Sequence, residues 1–154
     1  MNWYLIWKLL HIVGAFGFVA AHGATAAVAF RLRREREPVR IRALLELSRS
    51  TRSLMYWSLL VLVVGGIANG FYLHYWSRGW IWTSLILLTA LLVAAFPLAV
   101  PYYKRIRLAI DPERPAASPE ELAVLLRSSR PIVIAWVETV GILAILWLMV
   151  YKPF

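Results

Sequence analysis

Apolar runs about twenty residues long alternate along this chain with stretches crowded with arginine. A helix of that length crosses a hydrocarbon layer about 30 Å thick at ~1.5 Å per residue. Four such runs stand out: span 1 over about 3–30, span 2 over about 53–75, span 3 over about 80–103 and span 4 over about 131–151. The pattern predicts an all-α fold, a four-helix transmembrane bundle forming a single domain over 1–154. Pro131 suits the first turn of span 4. Pro97, with Pro101 near the end of span 3, predicts a bend or a break, because proline removes a backbone donor.

The polar intervals 31–52 and 104–130 read as long loops with short helices of their own. Val39 to Leu47 mixes apolar and basic positions, like an interfacial helix continuing toward span 2. Ser118-Pro119-Glu120-Glu121 is a capping box with proline at the first helical position, opening a helix to about Leu126. Asp111 to Pro115 is a turn-rich linker. The start of the chain lacks a basic leader and its apolar stretch is too long for a signal peptide core, so it reads as a retained first span.

Charge sets the expected orientation. Arginines 31, 33, 34, 36, 40, 42, 49 and 52 lie in the first loop. Lys104, Arg105, Arg107, Arg114, Arg127 and Arg130 lie in the second, leaving Lys8, Arg78 and Lys152 for the other side. The positive-inside rule then makes both long loops cytoplasmic and puts both termini and the Trp76–Gly79 turn outside a bacterial plasma (inner) membrane. Aromatics agree: Trp3, Trp7, Tyr75, Trp80 and Trp147 crowd one end as an interfacial belt, with Tyr56, Trp57, Tyr102 and Tyr103 at the other.

The chain has 154 residues, 61% of them hydrophobic, against about 45–50% in soluble domains. Its net charge of +9 is accounted for by basic loops against anionic lipid, so the bilayer rather than nucleic acid is the expected partner. Zero cysteines exclude disulfides, iron–sulfur clusters and thiolate zinc sites. Methionines are few and no metal motif is present, so no metal-ion site is expected. Charged residues are too sparse along the spans to favour a pore.

The polar residues within the spans are the candidate chemistry, because such groups are costly in lipid and face the interior. His11 and His22 lie eleven residues apart on one face of span 1, roughly 16 Å along the axis. His22, nine residues before Arg31, and Glu138, eight after Arg130, fall at one depth, roughly 12–14 Å from the loop boundary. A His22–Glu138 contact is the cheapest way to hold them there, with Thr25 and Thr139 as added partners. Lys8, His11 and His74 form a second polar cluster near the opposite boundary, and paired histidines can hold heme iron. Small residues crowd span 1, and Gly66–Gly70 of span 2 is a Gly-x-x-x-Gly pair, devices for close helix packing within the chain or between two copies.

Trp7-Lys8-Leu9-Leu10-His11-Ile12-Val13-Gly14 resembles the first span of the copper-resistance-D-like and HemJ-like membrane proteins. Gly14 to Phe18 with His22-Gly23, the Arg31 to Arg36 run and Pro101-Tyr102-Tyr103 resemble an uncharacterised family of predicted four-span bacterial integral membrane proteins. HemJ is a protoporphyrinogen oxidase that binds heme b through a first-span histidine, so the resemblance implies His11 as a heme ligand. A functional lysine in the third span of that family has no counterpart between Trp80 and Tyr103. The resemblance therefore carries heme binding further than oxidase activity, with His74 or His22 as second ligand. The expectation is a small heme-binding, redox-associated membrane protein. The rival is a non-catalytic accessory subunit of a membrane complex or a homodimer, and a metal-ion or small-molecule transport component ranks third.

Overall fold

The structure, a computed structural model, describes residues 2–111 and 118–154. Five helices appear among them: α1 (Trp3–Leu32), α2 (Pro38–Tyr72), α3 (Gly79–Ala109), α4 (Pro119–Leu126) and α5 (Arg130–Tyr151), with a 3₁₀ turn over Tyr75–Ser77. Four are long and apolar enough to cross a membrane. α1 packs on α2 and α3 on α5, and the two pairs meet chiefly along α1 and α5. Both chain termini lie at one end of the bundle, the termini end, and the arginine-rich segments at the other, the arginine end.

Three helices outrun the spans expected of them. α2 has 35 residues, roughly 52 Å, because the anticipated interfacial helix joins span 2 without interruption. The residues between them are serine, threonine and arginine, which a helix tolerates where no glycine or proline intervenes. α3 continues through Pro97 and Pro101 to Ala109, since neighbouring helices and local adjustment absorb the lost donors inside a membrane bundle. α1 runs two residues beyond its expected end. At the other end α2 stops at Tyr72, short of the expected 75, and the short Trp76–Gly79 turn is a 3₁₀ turn over Tyr75–Ser77. α4 has the expected capping box: Glu121 N–H donates to Ser118 Oγ and Ser118 N–H to the Glu121 carboxylate. The expected Asp111–Pro115 linker lies, beyond Asp111, outside the described residues.

The most water-excluded core sits at the arginine end. Val28 and Leu32 of α1, Ile41 and Leu45 of α2, Tyr102, Tyr103 and Ile106 of α3, and Leu126 of α4 are all buried together. The ends of α1–α3 extend past an apolar layer of about 30 Å, so the hydrophobic effect acts on them there, whereas lipid offers helices no such drive. Arginine side chains close this cap by donating to carbonyls that lack helical partners: Arg33 to Arg127 O (3.2 Å) and Arg42 to Ile110 O (3.2 Å). Backbone N–H groups of Arg36 and Glu37 hold the Glu35 carboxylate below its ordinary pKa in the α1–α2 turn. Along the spans the outward faces stay apolar and bare, with Phe16, Ile86, Val93 and Val140 exposed as a lipid-facing surface.

Glycines set the α1–α2 contact. A Cβ on Gly14 would sit 2.7 Å from Leu62 Cα, and one on Gly65 would sit 2.7 Å from His11 N. Backbone thus meets backbone at two points one helical turn apart, which only residues without side chains permit. The Gly66–Gly70 pair is consumed inside the chain: Gly66 faces the His11 ring and Gly70 the Trp76 ring.

Candidate functional site

The seam between the α1–α2 pair and the α3–α5 pair holds two cavities stacked along the bundle. The termini-end cavity encloses about 340 Å³ and the arginine-end cavity about 390 Å³. All four long helices line both, each giving one stretch to the first and a neighbouring stretch to the second. Val19, Leu62, Leu88 and Ile142 end the termini-end lining, and His22, Leu59, Leu92 and Glu138 begin the other a turn later. Leu91 seats against Gly141 at that level. The side chains at that junction are apolar on all four helices.

His11 lines the termini-end cavity with its Nδ1 2.8 Å from Leu62 O. In an α-helix the carbonyl of residue 62 also accepts the amide of residue 66, and here residue 66 is glycine. A Cβ on Gly66 would lie 2.9 Å from His11 Nδ1, so the missing side chain is what lets the imidazole reach the carbonyl. A carbonyl only accepts, so Nδ1 carries the hydrogen. The neutral ring keeps its lone pair on Nε2, which has no hydrogen-bond partner among the described residues. This is the arrangement by which a ligating histidine is oriented through its other nitrogen.

Other polar groups share that cavity. Lys8 and Lys152 line it, the latter donating to Tyr75 Oη at 3.0 Å and lying 4.7 Å over the Tyr75 ring. Asn69 and Trp76 belong to its wall, and Asn69 Oδ1 and Trp76 Nε1 are buried behind it with no hydrogen-bond partner among the described residues. The remaining wall is apolar and includes the thioether of Met149.

His22 is built differently. Its Nε2 lies 3.1 Å from Thr139 Oγ1 and its Nδ1 3.3 Å from Glu138 Oε2, both on α5. Thr139 in turn donates to Ala135 O at 2.7 Å. Both ring nitrogens are engaged, and the residue is buried. Arg52 and Tyr103 line the same cavity, the guanidinium 5.8 Å above the Tyr103 ring.

Of the residues singled out from sequence, Lys8 and His11 come together in one cavity, and His22 and Glu138 in the other. His74 joins neither. α2 ends at Tyr72, and His74 takes a left-handed conformation (φ 54°) at the corner, exposed at the termini end. Asn69, Trp76, Met149, Lys152 and Arg52 were not singled out. Of these only Asn69 carried a legible signal, an amide deep in span 2 one turn from Gly65 and Gly66. Among the described residues no group of three or more metal-ligating side chains gathers.

The fold is that of a small multi-pass, four-helix membrane protein. Residues 5–153 match the family described as "Predicted integral membrane protein (DUF2269)", and the chain belongs to that family. No curated protein matches it. No solved structure matches it either.

Proposed function

We propose that this chain is a small heme-binding, redox-associated protein of the bacterial plasma membrane, with both termini on the outer side. Fourteen basic residues in the two arginine-end segments against three elsewhere support that orientation. One observation carries the functional reading: the Leu62 carbonyl holds the His11 hydrogen on Nδ1 and leaves Nε2 without a partner among the described residues, in a cavity lined by all four long helices. The donor set suits heme b. His11 Nε2 would hold the iron, Met149 offers a second donor atom, and Lys8 and Lys152 would meet the acidic edge groups of the macrocycle. Bound there, heme would supply one-electron chemistry, while the chain's own residues orient the imidazole.

The test is a visible spectrum of the purified chain after expression with ample heme. A Soret band is expected, retained in His22→Ala and lost in His11→Ala. Colourless wild-type protein, or a band indifferent to His11, overturns the reading and leaves the accessory-subunit role.

A further inference from the structure

Counting hydrogens around His22 gives the arginine-end cavity a role of its own. Thr139 has one hydroxyl hydrogen, and at 2.7 Å from Ala135 O it is committed to a group that can only accept. Toward His22 Nε2, 3.1 Å away, the threonine oxygen is therefore the acceptor, and Nε2 carries a hydrogen. In the neutral ring Nδ1 is then bare, and it faces Glu138 Oε2 at 3.3 Å. Two lone pairs at that distance repel each other. A single proton between them removes the conflict, whether written as imidazolium with carboxylate or as imidazole with carboxylic acid.

The surroundings fix how the pair behaves without that proton. α2 presents Arg52 and Tyr56 to the cavity, α3 presents Tyr103, and α1 adds Thr25, whose hydroxyl is committed to Ala21 O at 3.0 Å. α5 contributes Glu138 itself. One cation, Arg52, thus shares the cavity with the negative charge of the deprotonated pair. The cavity runs from His22 and Glu138 toward Arg52, Tyr103 and Pro131, and its 390 Å³ takes several waters at about 30 Å³ each. On the other side lie apolar residues of the termini-end lining, Phe18, Val19, Leu62, Leu88 and Ile142.

We infer that the His22–Glu138 pair is a binding site for one exchangeable proton, filled and emptied through the arginine-end cavity and closed to the termini-end cavity. Uptake moves a proton from a hydronium in the cavity to the pair and leaves a water, and release reverses this. No electron moves, and the site stands whether or not heme binds at His11.

The test uses the full chain in lipid vesicles with ¹⁵N-labelled histidine, the His22 signal being assigned by its loss in His22→Ala. In wild type the His22 Nδ1 signal changes with pH while Nε2 remains protonated. In Glu138→Gln the proton affinity of the ring falls at least tenfold. An unchanged titration in a folded Glu138→Gln variant overturns the pairing. Access is read independently, because the chain has no cysteine. Charged thiol reagents on Ala26→Cys, in the arginine-end lining, are expected to slow or abolish the His22 response. On Leu85→Cys, in the termini-end lining a turn beyond the junction of the two cavities, they are expected to leave it intact. Equal or reversed effects overturn the one-sided route.

Discussion

His11 and His22 occupy one face of one helix three turns apart, yet they are held by opposite nitrogens. His11 donates from Nδ1 to a backbone carbonyl of α2, and its Nε2 is free. His22 donates from Nε2 to a threonine of α5, and its Nδ1 faces a carboxyl group. The first is oriented by main chain and open to a ligand; the second is engaged by side chains on both sides and open only to a proton. The same residue type on the same face thus acquires two chemistries from what the neighbouring helix offers: a backbone bared by glycine, or a threonine and a glutamate.

The comparison breaks most severely at Gly65. Gly65→Ala drives a Cβ to 2.7 Å from His11 N, so α1 and α2 must separate. The expected loss is about 1–3 kcal/mol, as for overpacked cores, read by thermal unfolding in detergent, with the His11 bond lost and the His22 bonds kept. Gly66→Ala sharpens it further. Its Cβ meets only the His11 ring, so the imidazole is displaced without parting the backbones. The expected cost is near the ~0.6 kcal/mol typical of a polar contact between membrane helices, with a ceiling of about 1.7. Any Soret band should vanish with it.

The mirror experiment is Thr139→Val. It removes the His22 acceptor, leaves His11 untouched, and is expected to cost about 0.6 kcal/mol by the same unfolding assay. Smallest of all is Gly23→Ala. Gly23 neighbours His22 in sequence, but nothing among the described residues lies within 4 Å of where its Cβ would go. Stability is expected to stay within about 0.5 kcal/mol of wild type. A large loss there would mean that α1 packs against something beyond this chain.

The four-span architecture was legible because apolar length and arginine placement are local properties of the chain. Helix ends were less so: hydropathy measures the lipid-facing length, while α2 and α3 continue into a water-facing cap where serine, threonine and arginine fit a helix equally well. Depth counting put His22 and Glu138 at one level, and the two side chains lie 3.3 Å apart. The His11 contact was not legible, because its partner is a backbone carbonyl, and every residue carries one. Only the approach of two helices at Gly14 and Gly65 selects Leu62. His74 was placed inside span 2 by its hydropathy, whereas the helix ends two residues earlier in a left-handed corner that hydropathy does not encode.

The most direct measurement is the ¹⁵N spectrum of the three histidines in the unmodified chain at neutral pH, assigned by His11→Ala and His22→Ala. In the heme-free chain His11 is expected with hydrogen on Nδ1 and a bare Nε2, and His22 with hydrogen on Nε2. The same tautomer at both residues, or free exchange between tautomers at His11, would contradict it.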